Sequence, residues 1–281
     1  MPDPVNVIVV GAGPGGATAA LTLARAGVRV RIVDRAHFPR AKPCGGAVSV
    51  RALSRFPYLA EALGEISVHR VSRLDLESPR GAVARLASDG PAALMIRRVE
   101  FDALLLSLAL RAGATIIQGV EVTGIRDLGT RVELTTRRGA LSAAAVIAAD
   151  GVNSVVARRL GLNPGWPATH VALDVMEEAP ADQLRCTDPD ALWVSYGHGD
   201  SHGYAYVFPK RAHVNVGVGH LLDYRRRRRP GAPFELQRRL VARLNGRGRL
   251  VGDACRARHP VPTADRRAPP PDGCRPGDAR G

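Results

Sequence analysis

The pattern of hydrophobic and polar residues predicts a strand, a helix and a second strand at the start of the chain. Residues 5–10 are apolar and mostly β-branched, as in a strand buried on both faces. A glycine-rich turn follows, and residues 17–26 have helical spacing up to Gly27. A second apolar run at residues 28–33 ends at Asp34. This order predicts a βαβ unit and a parallel sheet.

Further along the chain, helical spacing predicts helices at residues 49–63, 98–112 and 155–160. Strand-like segments lie at residues 69–76, 82–87, 115–118, 121–126, 131–136 and 143–149, and again at 170–175, 192–196, 204–208 and 213–218. Gly- and Pro-bearing turns separate the last four segments, which is typical of an antiparallel sheet. The predicted fold class is α/β, a Rossmann-like domain with an inserted antiparallel sheet.

The first turn, Gly11 to Gly16, has the glycine spacing of a dinucleotide site. Gly11 allows a sharp turn out of the strand, Gly13 leaves room for a pyrophosphate, and Gly16 lets the helix approach the sheet. The helix directs its free N–H groups at that phosphate, and Asp34 can accept hydrogen bonds from a ribose. The alternative is an ordinary βαβ turn, and the motif does not separate NAD from FAD.

Length and composition are those of a globular protein. The 281 residues are 45% hydrophobic, enough for one large domain or two ordinary ones, without an apolar run that could span a bilayer. The first strand begins within five residues, so we expect no signal peptide and a cytoplasmic protein. The cysteines are widely separated, which predicts reduced thiols and no metal site: Cys44, Cys186, Cys255 and Cys274.

The net charge of +14 comes almost entirely from arginine, since Lys42 and Lys210 are the only lysines among the forty basic residues. We expect no nucleic-acid partner, because no nucleic-acid-binding motif or row of interleaved aromatic residues accompanies the charge. The five arginines at residues 225–229 are interpreted either as a solvated loop or as a site for peripheral association with an anionic membrane.

Several motifs together resemble the two-dinucleotide-fold flavoproteins built like para-hydroxybenzoate hydroxylase. They are GAGPGGATAA from Gly11, the acid Asp34, Arg98 with Phe101-Asp102, and DGVNS at residues 150–154. Within that group, FPRAKPCGGAVS (residues 38–49), GYAYVFPK (203–210) and NVGVG (215–219) resemble the geranylgeranyl reductase family. This chain departs from the family pattern at Ala47, usually glycine, and at Tyr206, usually tryptophan.

The resemblance implies FAD as cofactor. Carried over by position, Val120 lies beside the adenine, and Asp150-Gly151 supports the pyrophosphate region. The full set of implied cofactor-binding residues is Gly11, Gly13, Gly16, Asp34, Arg35, Cys44, Gly45, Arg98, Val120, Asp150, Gly151, Gly252 and Asp253. Two alternatives stay open at this stage, in which Asp150 only caps a helix and Arg98 is a surface residue.

The implied activity is reduction of carbon–carbon double bonds in a geranylgeranyl or other polyprenyl chain, a step of lipid biosynthesis with NAD(P)H or ferredoxin as electron donor. Cys44 is the candidate catalytic residue, or else a small buried cysteine. Alternation places Tyr204, Tyr206 and Phe208 on one face of a strand, where they form a wall for the substrate or an ordinary core stripe. The alternative enzyme is an NAD(P)H-dependent flavin monooxygenase of the same fold.

The predicted domains are discontinuous. Residues 1–68, 96–165 and 248–254 form the FAD-binding domain, and residues 69–95 and 166–247 form the substrate-binding sheet. Residues 255–281 are rich in Pro and Arg and are predicted to be disordered. We expect that the reading frame is lost after Ala254, which leaves a C-terminally truncated product. A non-catalytic remnant is therefore a further alternative.

Overall fold

The structure, a computed structural model, describes residues 5–197, 203–223 and 233–252, with the side chain of Pro233 excepted. It divides into two compact units. Unit 1 comprises Met1–Lys42, Arg51–Val68 and Ile96–Pro167, and unit 2 comprises Pro43–Val50, His69–Met95 and Ala168–Gly281. The predicted tail, residues 255–281, the arginines 225–229 and Asp253 all lie outside the described residues.

The strands, in chain order, are β1 (Val7–Val10), β2 (Val30–Asp34), β3 (Ala47–Ser49), β4 (Val68–Val71), β5 (Arg73–Glu77), β6 (Val83–Ala87), β7 (Ala93–Ile96), β8 (Thr115–Gln118), β9 (Val122–Asp127), β10 (Val132–Thr136), β11 (Gly139–Ala143), β12 (Ala145–Ala148), β13 (Ala172–Pro180), β14 (Leu184–Cys186), β15 (Ala191–Tyr196), β16 (Gly203–Pro209), β17 (His213–Leu221) and β18 (Leu250–Gly252). The α-helices are α1 (Pro14–Arg25), α2 (Arg51–Arg55), α3 (Tyr58–Ala62), α4 (Arg98–Arg111), α5 (Val155–Arg159) and α6 (Pro233–Gly246). Short 3₁₀ turns lie at Leu63–Glu65 and Ala168–His170.

Unit 1 is organised around a parallel sheet with strand order β12-β1-β2-β8. The middle strands are rich in Val and Ile because both of their faces are covered. On one face, Val9 and Ile32 pack in one cluster with Leu21 and Leu106, which come from α1 and α4. The predicted α/β class with a parallel sheet is confirmed.

The second face of that sheet joins a different cluster. Val10 and Val33 pack there with Leu134 of the antiparallel meander β9-β10-β11 and with Val156 of α5. The sequence predicts one strand over residues 143–149, but in the structure this region is shared by two strands. β11 pairs with β10 in the meander, and only β12 enters the parallel sheet.

Unit 2 contains a six-stranded sheet with the order β13-β17-β16-β15-β5-β6. Most neighbours are antiparallel, as predicted, but β15 pairs with β5 in parallel. The sheet is therefore mixed. The reason lies in connectivity, because β5 and β6 come from an early hairpin that joins the edge of a later meander.

The two faces of this sheet differ in chemistry. On one face, Val207 and Val216 pack with Leu240 and Leu244 of α6; we call it the helix-covered face. The other, which we call the aromatic face, bears the side chains of Asp174, Met176, Tyr204, Tyr206 and Phe208, since alternate residues of a strand point to the same side.

The helix prediction differs from the structure at two places. The sequence predicts one helix over residues 49–63, whereas the structure has α2 and α3 separated at Phe56-Pro57, because the residue before a proline avoids helical geometry. It also misses α6, whose exposed side is arginine-rich. None of the helices in the described ranges is both long and apolar enough to cross a bilayer.

The division into units also differs from the predicted domains. The sequence predicts residues 43–50 and 248–254 with the first domain, but residues 43–50 and 248–252 belong to unit 2. Their backbones account for this placement, because β3 pairs with β7 and β18 pairs with β14. Which unit binds which ligand stays a prediction at this point.

Candidate functional site

The turn between β1 and α1 requires glycine at two positions. Gly11 has a φ of 99°, and a Cβ there would lie 2.4 Å from the carbonyl oxygen of Ala149. A Cβ on Gly16 would lie 1.8 Å from the carbonyl oxygen of Gly11. Both positions therefore hold the helix, the turn and β12 closer together than any side chain would allow. The predicted packing role of Gly16 is confirmed.

The first turn of α1 presents its amide groups without a side-chain cap. Gly13 is the N-cap residue and makes no side-chain hydrogen bond to the helix. Gly15 is exposed, and a Cβ there would meet no atom of the described chain within 4 Å. Uncapped N–H groups and the positive end of the helix dipole favour an anion at this position.

Asp34 lies at the end of β2 beside this turn. Its Oδ2 accepts a hydrogen bond of 2.7 Å from Ala12 N, and its Oδ1 accepts one of 2.8 Å from Ala36 N. Val120 is buried and donates its N–H to the carbonyl oxygen of Asp34. The neighbouring Arg35 is exposed. The structure thus brings Asp34, Val120 and the glycine turn together within unit 1.

Arg98 is held by an ion pair inside unit 1. Its Nε and Nη2 donate to the two oxygens of the fully buried Asp102 at 2.7 and 2.8 Å. Arg40 lies 3.1 Å from the same carboxylate, and its Nη2 would be 3.6 Å from a Cβ on Gly13. Arg40 Nη1 is buried and has no hydrogen-bond partner among the described residues. Sequence reasoning did not single out Arg40, although it lies inside the FPRAKPCGG motif.

Asp150 caps α5. Its Oδ2 accepts hydrogen bonds from Val155 N at 2.7 Å and Val156 N at 3.4 Å, and Ser154 Oγ accepts one from Ala157 N. The capping alternative for Asp150 therefore has direct structural support, and Ser154 is the N-cap residue of the same helix. Its Oδ1 is buried and has no partner within the described chain. Gly151 follows with a φ of 85°, which favours glycine.

Within unit 2, the loop that carries Cys44 lies on the aromatic face. Cys44 N donates to Met176 Sδ at 3.1 Å, and the Nδ2 of Asn215 donates to the carbonyl oxygen of Cys44 at 3.3 Å. A Cβ on Gly45 would lie 2.6 Å from the ring of Phe208. Cys44 is a half-buried free thiol. Cys44 and Gly45 therefore contact Asn215 of the NVGVG motif and Phe208 of the GYAYVFPK motif within unit 2, which the sequence alone did not predict.

The predicted aromatic row is present on β16. The ring centroids of Tyr204 and Tyr206 are 5.7 Å apart, and those of Tyr206 and Phe208 are 4.5 Å apart. The rings lie across glycines of β17, since a Cβ on Gly217 would be 2.3 Å from Tyr206 and one on Gly219 would be 2.8 Å from Tyr204. The NVGVG motif therefore leaves space for the tyrosines of the GYAYVFPK motif.

Two acids three residues apart on β13 have raised pKa values. Burial raises the pKa of Asp174 to about 6, although the hydrogen bond from Tyr206 Oη, 2.9 Å long, lowers it. Burial also raises the pKa of Glu177 to about 7, opposed by the hydrogen bond from Gln237. Asp174 lies on the aromatic face and Glu177 on the helix-covered face. Sequence reasoning missed both, because burial depends on long-range pairing.

Gly252, a predicted cofactor-binding residue, belongs to unit 2. It ends β18 in unit 2, where it pairs with Leu184, and a Cβ on Gly252 would lie 2.0 Å from the carbonyl oxygen of Gln183. Its own carbonyl oxygen accepts a hydrogen bond from the Nδ2 of Asn245. These contacts give Gly252 a role in strand pairing. Asp253, the other half of the predicted pair, lies outside the described residues.

Comparison with known proteins matches residues 4–247 to the family model described as FAD binding domain. A menaquinone reductase from Mycobacterium tuberculosis is 31% identical over 80% of this chain and 57% of its own length. A geranylgeranyl diphosphate reductase from Rhodobacter capsulatus is 31% identical over 76% of this chain and 54% of its own. The chain thus spans just over half the length of these curated relatives.

A crystal structure of a geranylgeranyl bacteriochlorophyll reductase-like protein from Thermoplasma acidophilum has the same fold. It aligns with a TM-score of 0.75 and 23% identity, over 90% of this chain and 65% of that one. The family model covers most of the sequence. The chain therefore belongs to the FAD binding domain family.

Proposed function

We propose that this chain is part of an FAD-dependent oxidoreductase that reduces carbon–carbon double bonds in a geranylgeranyl or other polyprenyl chain. The observation that carries the proposal is the combination of an uncapped, glycine-built helix start in unit 1 with a row of aromatic rings in unit 2 that the Cys44 loop contacts. Relatives named for geranylgeranyl and menaquinone reduction support the same substrate class.

The residues of unit 1 fit the ADP part of FAD. A Cβ on Gly15 would meet no atom of the described chain within 4 Å, and the helix start lacks a side-chain cap, so there is room for a pyrophosphate beside the guanidinium group of Arg40. The buried Nη1 of Arg40 and Oδ1 of Asp150 have no partner in the described chain. A buried polar atom without a partner is costly, so a polar ligand would satisfy both.

In this proposal Arg40 contributes charge to the pyrophosphate, whereas Arg98 acts one step away by fixing Asp102. The carboxylate of Asp102 is shared by the two guanidinium groups. Since Arg98 already uses both oxygens of that carboxylate, Arg40 is the more available donor. Asp34 and Arg35 are proposed at the adenosine ribose, and Val120 at the adenine.

The aromatic face of unit 2 is proposed to bind the polyprenyl chain. Tyr204 and Phe208 are half-buried, so each has an exposed edge against which an isoprene unit can pack, whereas Tyr206 is only 2% exposed and forms the floor. The bound cofactor, once reduced, supplies the hydride. The chain's own residues position the double bond and exclude water.

Cys44 is proposed to contact the ligand through its thiol. Its backbone is fixed on both sides, by Met176 and by Asn215, so the thiol is held in place on the aromatic face. Gly45 and Gly46 keep the loop close to the sheet. Because polyprenyl chains partition into membranes, we propose that the protein acts on the cytoplasmic surface of a membrane, with NAD(P)H or ferredoxin as electron donor.

The test is a flavin spectrum followed by a turnover assay. The purified chain is mixed with FAD and freed of unbound cofactor, and the spectrum is recorded. The bound flavin is then reduced with dithionite under nitrogen, and geranylgeranyl diphosphate is added as the probe. Reoxidation of the flavin with a product heavier by two hydrogens per reduced bond is the expected result.

Other outcomes point elsewhere. Rapid NAD(P)H oxidation with oxygen uptake and an unchanged prenyl mass would favour the monooxygenase alternative. A protein that stays colourless after FAD is added would instead favour a non-catalytic remnant. The role proposed for Arg40 can be tested by its replacement with Met, for which Arg111→Met is the control. Arg111 pairs with Glu65 on the surface of unit 1, so Arg111→Met should bind FAD as the wild type does.

A further inference from the structure

Asp174 is a carboxyl group in an unusual position on the aromatic face. It lies on β13, and its Oδ2 accepts the hydrogen bond from the Oη of Tyr206. The other oxygen, Oδ1, is buried and has no hydrogen-bond partner among the residues that the structure describes. Asp174 therefore has one oxygen fixed by Tyr206 and one whose hydrogen-bonding capacity is unused within the described chain.

No ion pair involves Asp174 within the part of the chain that the structure describes, although several ionisable groups surround it. Tyr204 and Tyr206 of β16 interact electrostatically with Asp174. Both tyrosines also interact electrostatically with Cys44 of the loop at residues 43–50. Further along the same strand, Glu178 pairs with Lys210. Burial consequently dominates, and it raises the pKa of Asp174 to about 6. A carboxyl group of this kind still carries its proton in mildly acidic solution.

The position of Tyr206 explains how this pair forms. Gly217 lies between β16 and β13 in the sheet, and the tyrosine ring crosses it to reach the acid. Burial raises the pKa of Tyr206 well above its usual value, so the phenol stays protonated and always donates to Asp174. The usual tryptophan of the geranylgeranyl reductase family would have no hydroxyl group at this position.

We propose that Asp174 is the acid that protonates the alkene carbon during the reduction, and that Tyr206 positions its carboxyl group. This inference rests on the proposed function. In the step, the O–H bond of Asp174 breaks and a C–H bond forms on one alkene carbon. The other alkene carbon accepts the hydride, with its electron pair, from the reduced flavin. Water then returns a proton to the carboxylate.

Glu177 provides a matched control on the same strand. It is also buried and also has a raised pKa, of about 7, but it lies on the helix-covered face, bonded to Gln237 of α6. Two acids of similar chemistry thus occupy opposite faces of one sheet. Only the one on the aromatic face should affect protonation of a ligand bound there.

The first test compares Asp174→Asn with Glu177→Gln in the FAD-loaded full chain, with geranylgeranyl diphosphate as the probe. Asn keeps the size of the side chain and can still accept from Tyr206, but it cannot supply the proton. We expect turnover to fall by about 10²-fold or more with KM changed less than about threefold. Asp174→Glu should recover part of the rate, and Glu177→Gln should leave it unchanged.

The second test follows the proton directly. The infrared carbonyl band of a protonated carboxyl group should titrate near pH 6 in the wild-type protein without substrate, and it should be missing in Asp174→Asn. Tyr206→Phe removes the hydrogen bond that lowers the pKa of Asp174, so this titration should move to higher pH. The pH at which turnover declines should move in the same direction, which a purely structural effect would not produce.

The outcomes separate the two proposals. Turnover by Asp174→Asn at the wild-type rate would overturn the role of Asp174 and leave the proposed function intact. A pH profile that is the same in Tyr206→Phe and in the wild type would overturn the positioning role. A wild-type protein that binds FAD but reduces no prenyl chain would overturn the proposed function, and this inference with it.

Discussion

The glycine turn of unit 1 and the aromatic face of unit 2 are both built on glycines, but they use them in different ways. In the turn, Gly16 allows the backbone of α1 to approach the backbone at Gly11. On the aromatic face, Gly217 allows a side chain, the ring of Tyr206, to lie against a neighbouring strand. The first arrangement uses consecutive residues. The second needs three strands in the right register.

This difference decides what each region can do. The turn presents backbone N–H groups, which bind a phosphate whatever the neighbouring side chains are. The aromatic face presents side chains, so its chemistry depends on each residue. A Trp in place of Tyr206 would keep an aromatic side chain but remove the hydroxyl group that donates to Asp174. We therefore expect changes in the turn to affect cofactor binding, and changes on the aromatic face to affect substrate chemistry.

The largest effect is expected from Gly16→Ala. Its Cβ would lie 1.8 Å from the Gly11 carbonyl oxygen, so α1 must move away from the turn. We expect FAD affinity to fall by about 100-fold or more, which corresponds to about 2.7 kcal/mol. Isothermal titration calorimetry with FAD measures the affinity. The control is Gly64→Ala in the turn Leu63–Glu65, where an added Cβ would meet no atom of the described chain within 4 Å; equal losses in the two variants would contradict the steric explanation.

Gly217→Ala should disrupt the packing of the aromatic face through a steric clash, as Gly16→Ala does in the turn. The added Cβ would lie 2.3 Å from Tyr206, so the ring must leave its position and its hydrogen bond to Asp174. We expect a loss of about 2–3 kcal/mol in the free energy of unfolding, measured with urea. In Tyr206→Val the ring is absent, so the Cβ added at position 217 no longer clashes with it. The double variant should therefore lose clearly less than the sum of the single losses, and strict additivity would rule the clash out.

Arg40→Met tests the charge beside the turn. The variant keeps the apolar stem and leaves Asp102 paired with Arg98. We expect FAD affinity to fall about tenfold, or about 1.4 kcal/mol, with little change in folding. Fluorescence of the flavin on titration gives the affinity. Should Arg98→Met lower the affinity much more than Arg40→Met without unfolding the protein, Arg98 would be the direct partner instead.

Glu177→Gln should give the smallest effect, and it concerns the helix-covered face alone. The pKa of this carboxyl group is raised from 4.5 to about 7 by burial. As pH rises, the carboxyl group therefore loses its proton at a lower pH in the unfolded chain than in the folded chain. The free energy of unfolding consequently declines between about pH 4.5 and about pH 7. Above pH 7 the Gln variant should be more stable than the wild type by about 1 kcal/mol, since partial hydration reduces the effect. Thermal unfolding at pH 5 and pH 8 measures it. An equal difference at both values would contradict burial as the cause.

The sequence predicted the turn well because its signals are local. The apolar run, the glycines and Asp34 lie within thirty residues, and their geometry follows from backbone constraints. The alternation on β16 likewise predicted that Tyr204, Tyr206 and Phe208 share a face, which the structure confirms. The family resemblance supplied the cofactor, and the match to the FAD binding domain family confirms it.

Other features depended on distant partners and could not be predicted. Whether Arg98 faces a ligand depends on the burial of Asp102, and Arg40 enters the same ion pair from a loop sixty residues away. The raised pKa of Asp174 requires knowledge of which strand lies beside β13. The pairing of β18 with β14 was likewise missed, because it joins segments that lie far apart in the sequence, and the cofactor role of Gly252 stays a prediction.

The parallel pairing of β5 with β15 has a consequence for how the protein is made. Residues 73–87 form a hairpin whose partner strand begins only at Ala191, roughly 100 residues later. At the usual rate of protein synthesis, that hairpin waits about 5–20 seconds on the ribosome before its neighbour exists. During this interval an unpaired edge is exposed on the nascent chain. Synonymous codons that slow translation across residues 88–190 should therefore increase its capture by chaperones.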